Sequence, residues 1–190
     1  LDKIVRDFPQ LRITLEHITT SDSIDFITQT KNVVASITPH HLAANRNDMF
    51  AGGINPHLYC LPILKRRKHQ EELIKVATSG NEKFFLGTDS APHEIKHKEN
   101  ICGCAGVFNT INSIEIITQI FDEANSLSQL ENFVSKNSAS FYKIPFSKKK
   151  LELIRINKPI SFQDELIEGD LKIKIYKPNF EVNWKVSRRF

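Results

Sequence analysis

The residues best suited to chemistry stand at the ends of apolar segments. LRITLEH (11–17) ends on His17, NVVASITPHH (32–41) on His40 and His41, and KFFLGTD (83–89) on Asp89. Imidazole nitrogen and carboxylate oxygen both ligate zinc, and an aspartate so placed can also act as a general base. The Ser90-Ala91-Pro92 turn would hold His93 near Asp89. His17 and Asp89 alone under-supply a zinc ion, which takes at least three protein ligands. On a strand His40 and His41 would point to opposite faces and could not both serve one ion. Each of these residues also has an ordinary reading: an aspartate that caps or turns the chain, a histidine half-buried for structural reasons.

Two further segments invite a functional reading. NICGCAG (100–106) holds Cys102 and Cys104, but one Cys-x-Cys pair is a poor structural zinc site, which wants four ligands. Its glycines suggest a loop that presents backbone N–H groups at a helix start near Val107, an arrangement suited to a carboxylate. PHLYCLPILKR (56–66) is apolar and bounded by prolines, and reads as a loop packed over the sheet as a lid or pocket wall. His57 within it has no evident partner and is expected to be structural.

The elements that must position these residues alternate. Short branched-apolar runs at 11–17, 32–39 and 83–89 read as strands of the buried, parallel type. SDSIDFITQT (21–30), with Thr20 or Ser21 as N-cap, and RRKHQEELIKVATSG (66–80), stopped by Gly80, read as the helices between them. In such folds ligands gather at the carboxyl ends of the parallel strands, where His17, His40, His41 and Asp89 stand. Beyond this, Ile111, Ile114, Ile117, Ile120 and Phe121 recur at helical spacing within 108–124, and 127–142 reads as a further helix or helix pair. After Pro145 the pattern changes to short strands at 149–156, 171–176 and 181–186. The expected organisation is a parallel α/β portion over 1–144 and accessory strands over 145–190 that complete the same domain.

Composition excludes several classes. The 190 residues are 40% hydrophobic and 25% charged, values of a folded globular chain rather than a disordered or collagenous one. With 26 Lys and Arg against 22 Asp and Glu, the basic runs at 65–68, 148–150 and 188–189 are short and lack interleaved aromatics, so no nucleic-acid partner is expected. No apolar run is long enough for a membrane span. Three cysteines, an odd number, fit a reducing cytoplasm better than a disulfide framework. The chain opens on Leu1, and LDKIVRDF reads as the end of a helix already under way, so further sequence is expected upstream.

Five blocks in one order, LEHITT (15–20), SITPHHL with NRN (36–47), PHLYCLPILKR (56–66), LGTDSAPH (86–93) and CGCAG (102–106), resemble the dihydroorotases of the amidohydrolase superfamily, in particular the bacterial single-function type. WKV (184–186) fits less specifically. The resemblance implies an α/β fold, the carboxyl-terminal part of a (β/α)₈ barrel with a small accessory region. It implies zinc-dependent, reversible hydrolysis of the cyclic amide of dihydroorotate to N-carbamoyl-L-aspartate. His17 then matches a zinc ligand, Asp89 both a zinc ligand and the catalytic acid/base, and His93 a residue that binds the substrate carboxylate. Leu61 and Ala105 match backbone contacts to substrate. Two zinc ions bridged by a carboxylated lysine are implied, with that lysine and the other ligands outside this chain. A homodimer is implied as well. Two alternatives stay open: another cyclic amidohydrolase of the hydantoinase or allantoinase kind, and a catalytically inactive relative serving as a scaffold.

Overall fold

A computed structural model describes residues 1–189, and Phe190 lies outside the described residues. After a short helix α1 (Asp2–Asp7), three strands form one parallel sheet in sequential order: β1 (Ile13–Leu15), β2 (Val33–Ile37) and β3 (Phe84–Leu86). Ile13 pairs with Val33, and Ala35 with Phe84. β2 is buried along its whole length, as a central parallel strand covered on both faces must be. Helices α2 (Ser21–Gln29) and α4 (Arg67–Thr78) make the crossovers, and they pack against each other as well as on the sheet.

Local chemistry explains where these helices start and stop. The Thr20 side chain accepts the Ser23 N–H at the head of α2. At its foot the Lys83 ammonium donates to the carbonyls of Ile27 (2.8 Å), Thr28 (3.3 Å) and Thr30 (2.7 Å), neutralising the negative end of the helix. The run at 32–39 does not stay extended to Pro39. Thr38 caps a short helix, α3 (Pro39–Ala43), whose first residue is the proline, a position that needs no N–H donor. His40 and His41 therefore lie on a helix, and the argument from alternating strand faces does not apply to them.

After α5 (Ile95–Lys98), the helical pattern expected over 108–124 is realised as α6 (Ser113–Glu123). Ile111 stays outside it and exposed, because Asn109 and Phe108 are engaged elsewhere: the Tyr176 N–H donates to the Phe108 carbonyl. The 127–142 segment is a 3₁₀ turn, one π-helical turn (Asn132–Lys136) and α7 (Asn137–Tyr142). Phe121 of α6 and Phe133 meet at 5.4 Å between ring centroids beside the equally buried Phe84. Each such ring contributes roughly 2–3 kcal/mol by burial.

The last forty-odd residues form two antiparallel pairs: β4 (Leu151–Arg155) with β7 (Trp184–Arg189), and β5 (Glu165–Glu168) with β6 (Leu171–Lys174). β5 has no counterpart among the strands expected from sequence, and β7 runs later than 181–186. These pairs are fastened to α6: Trp184 Nε1 donates to Asp122 (3.0 Å), and Asn112 Nδ2 to the Tyr176 carbonyl (3.0 Å).

Candidate active site at the strand ends

His17 follows β1 and Asp89 follows β3, one on each side of the central strand and at the same end of the sheet. Both have left-handed backbones, φ 44° and 42°, a conformation uncommon for residues with a side chain. Such strain persists where the surroundings over-determine it, and functional sites are where it clusters. Here the restraint comes from β2. The Ser36 hydroxyl accepts the His17 N–H at 2.9 Å, the Ser36 carbonyl accepts the Ile18 N–H at 3.1 Å, and the Ile37 carbonyl accepts the Gly87 N–H at 3.1 Å. His17 Nδ1 is buried with no hydrogen-bond partner among the described residues, whereas the Asp89 residue is exposed. A buried imidazole nitrogen without a partner and an exposed carboxylate at the same end of the sheet are both donors that zinc accepts.

His40, His41 and Cys60 bring one ligand atom each within 4.8 Å of one another, and all three are buried. Their bonding makes them a poor fit for a metal. His41 uses both ring nitrogens: Nδ1 accepts from the Thr38 hydroxyl (2.7 Å) and Nε2 donates to the Pro62 carbonyl (2.9 Å). The Cys60 thiol is pushed up to about 11 by burial, so it holds its proton, and it donates to the same carbonyl at 3.4 Å. Burial likewise lowers the pKa of His40 well below its usual value and that of His41 to about 4, so both rings stay neutral. His41 and Cys60 tie α3 to the loop at 56–66, whereas His40 Nδ1 accepts from Asn109 and its Nε2 has no partner among the described residues.

HEIKH at 93–97 matches the HExxH spacing of zinc hydrolases, a pattern overlooked in the sequence. It does not build that site. HExxH needs both imidazoles on one helix face, but α5 begins only at Ile95. His93 Nε2 donates to the Ala105 carbonyl at 3.0 Å, while His97 Nδ1 lies 3.6 Å from Glu94.

The two loops expected to flank a site are joined. The Gly106 N–H donates to the Tyr59 carbonyl (2.9 Å), and the His57 ring, which does have a partner, meets Glu99 at 2.8 Å. CGCAG does not open a helix at Val107: α6 starts at Ser113, and the loop is ordered by its own bonds, with Cys104 N–H on the His97 carbonyl. Among the described residues the Ala105 N–H has no acceptor. Leu61 is 62% exposed at the tip of the other loop, beside the cis Leu61–Pro62 bond. The structure thus joins His93 directly to Ala105 and sets His17 and Asp89 on one end of the sheet.

Three residues of this region went unremarked in the sequence. Ser36 organises the backbone at His17. Asn109, fully buried, donates to the Thr88 carbonyl (2.8 Å) and to His40 Nδ1 (3.0 Å), anchoring the residue before Asp89. Lys98, 3% exposed, donates to carbonyls in both loops.

No family model matches the chain. It is 49% identical over 177 residues to a dihydroorotase of Acinetobacter baylyi, covering 93% of this chain and 52% of that protein. A dihydroorotase structure from Campylobacter jejuni superposes with a TM-score of 0.86 at 32% identity, over 98% of this chain and 54% of the other. A dihydroorotase from Saccharomyces cerevisiae, in complex with 5-fluoroorotic acid, gives 0.81 at 33% identity with the same coverage. An L-hydantoinase from Arthrobacter aurescens gives 0.77 at 15% identity, over 98% of this chain and 45% of that one, a likeness of fold alone. The chain spans about half the length of the curated relatives it matches. Among the described residues no helix is long and apolar enough to cross a membrane.

Proposed function

We propose that this chain, which belongs to the dihydroorotase family, forms part of the active site of an enzyme that reversibly hydrolyses the cyclic amide of dihydroorotate to N-carbamoyl-L-aspartate. The observation that carries this reading is the placement of His17 and Asp89 on restrained left-handed backbone at one end of the parallel sheet, together with a loop whose Ala105 N–H is unengaged among the described residues. We read the three strands as part of a (β/α)₈ barrel over 1–144. Residues 145–190 complete the same domain, a reading supported by the bonds of Trp184 and Tyr176 to the α6 region.

His17 and Asp89 would hold zinc as two ligands of a larger set, whose other members, a carboxylated lysine among them, are expected outside this chain. Zinc bound there would supply Lewis-acid polarisation and a water acidic enough to attack near neutral pH. Asp89, exposed at the strand mouth, takes the proton of the attacking water and returns it to the leaving ring nitrogen. The Ala105 N–H and the backbone at Leu61 orient the anionic substrate. His93 commits Nε2–H to the Ala105 carbonyl, so Nδ1 meets the substrate carboxylate as a donor when the ring is an imidazolium.

The test is Asp89→Asn in the full-length protein. Asparagine tolerates left-handed backbone well among residues with a side chain, so the fold should survive. Turnover of dihydroorotate should fall by at least about a thousandfold, the scale of general acid–base catalysis combined with loss of a ligand. Near-normal turnover would remove Asp89 from the chemistry. A metal-replete wild type that turns over hydantoins and not dihydroorotate would favour the other cyclic amidohydrolases, and one inert towards both would favour a scaffold. The implied homodimer is checked by sedimentation.

A further inference from the structure

Lys98 ends a helix of four residues on the surface of the molecule, yet it is 3% exposed and among the described residues no carboxylate pairs with it. Its ammonium donates three hydrogen bonds, all to backbone: the carbonyls of Tyr59 (2.8 Å), Cys104 (2.8 Å) and Gly106 (2.6 Å). That saturates its donors. A buried cation answered only by peptide dipoles is costly to desolvate, so its presence here calls for an explanation.

The peptide units involved supply one. The Cys104 carbonyl and the Ala105 N–H belong to one planar amide. An ammonium on the oxygen draws charge through the amide and makes its N–H a stronger donor, the cooperative polarisation known for chains of hydrogen bonds. The Gly106 carbonyl, held by the same ammonium, fixes the next peptide but one, and His93 holds the Ala105 carbonyl of the peptide between them. Ala105 is thereby clamped on both sides, with its one free group, the N–H, turned away from these acceptors. Through Tyr59 the same cation binds the loop that carries Leu61.

We infer that Lys98 is a positioning residue for the substrate anion: its ammonium acts through the Cys104–Ala105 peptide to aim and strengthen the Ala105 N–H, and ties that loop to the one bearing Leu61. The inference rests on the dihydroorotase reading, which makes a carboxylate the group that Ala105 receives. Lys98 touches neither the substrate nor Asp89 in this account, so its effect falls on binding rather than on the chemical step.

The experiment compares full-length wild type, Lys98→Gln and Lys98→Arg by steady-state kinetics with dihydroorotate, by zinc content and by denaturant unfolding. Gln keeps a donor and loses the charge. Lys98→Gln should raise KM about ten- to hundredfold, the scale of one hydrogen bond to a charged group, with kcat within about threefold and zinc content unchanged. Lys98→Arg, which keeps the charge against the same carbonyls, should recover most of the KM effect. A folded Lys98→Gln protein with wild-type KM overturns the inference. So does a parallel loss of kcat and zinc, which would mark a merely structural residue. Should Lys98→Gln fail to fold, Lys98→Arg decides: KM within about threefold of wild type supports the inference, and a KM raised tenfold or more with full zinc content refutes it. A zinc-replete wild type that leaves dihydroorotate untouched is a different result, and it refutes the functional reading on which this inference stands.

Discussion

Gly106→Ala tests whether the loop at 102–106 is pressed against the turn after Asp89. At Gly106 the backbone has φ +149°, and a Cβ added there would lie 2.5 Å from Ala91 Cβ, 2.9 Å from the Ala91 carbonyl and 3.0 Å from His93 Cδ2. Two penalties therefore add. The backbone conformation costs an L-residue about 1–3 kcal/mol, and forcing a methyl against a backbone carbonyl and a packed side chain costs about 1–3 kcal/mol more. Gly53 isolates the first penalty, because its φ is +134° and a Cβ there meets nothing within 4 Å. Urea unfolding of the two alanine variants should show both destabilised, Gly106→Ala by about 1–3 kcal/mol more than Gly53→Ala. Relief of the overlap must move the 91–93 turn and pull His93 from the Ala105 carbonyl, so KM for dihydroorotate should rise at least about tenfold for Gly106→Ala alone, the loss of one oriented hydrogen bond. Equal destabilisation of the two variants, or an unaltered KM in Gly106→Ala, would refute the close packing of loop on turn.

Asn109→Ala leaves the Thr88 carbonyl and His40 Nδ1 without their shared donor, and two buried unsatisfied groups should cost roughly 2–5 kcal/mol in denaturant titrations; a loss under about 0.5 kcal/mol would mean water replaces the amide. Lys83→Met removes the cation from three carbonyls at the foot of α2 and should cost about 1–2 kcal/mol, most visibly as faster amide exchange in the last turn of that helix; unchanged exchange would refute the capping role. Burial lowers the Lys98 pKa from 10.5 to about 8, so its charge is present below that pH and lost above it. Between pH 8 and 9 KM for dihydroorotate should therefore climb. Stability gains slightly from this group over the same range, because the folded state sheds the proton that the unfolded chain still holds. The groups facing Lys98 are the Tyr59 ring at 5.9 Å, the Cys60 and Cys104 thiols and the neutral His40. Cys60, raised to about 11, opposes that gain only above about pH 9, where the unfolded thiol ionises first. A flat KM across pH 8–9 would argue against the ammonium's role.

The sheet was legible because its signal is local. Branched apolar runs ending in Pro, Gly or a polar cluster read as buried strands whatever surrounds them, and Thr20 caps α2 with the very atom its residue type suggests. His40 and His41 were misread for an equally local reason: Thr38 and Pro39 form a good helix start, and that signal outranked the apolar run before it. β5 escaped because ELIE offers only two apolar residues, and its pairing with LKIK needs the hairpin partner to be visible. His57 looked unpaired because Glu99 is forty-two residues away, brought close only when the two loops meet.

The candidate site divides along the same line. The residues proposed to act through their own side chains stand out by type and place, His17 and Asp89 just after strands and His93 just beyond a proline turn. Residues that act through backbone do not. Ser36 holds His17 in left-handed backbone from inside a buried strand, where a serine reads as a small neutral core residue. Lys98 sits in IKHKEN, indistinguishable in sequence from a solvated helix face, and only the three carbonyls around its ammonium show otherwise. Peptide groups are the same at every position, so a side chain whose partners are peptides leaves no pattern of residue types for a reader of sequence to find. In a site proposed to fix an anion between two loops, the cation that organises the loops is then the part that only the folded chain reveals.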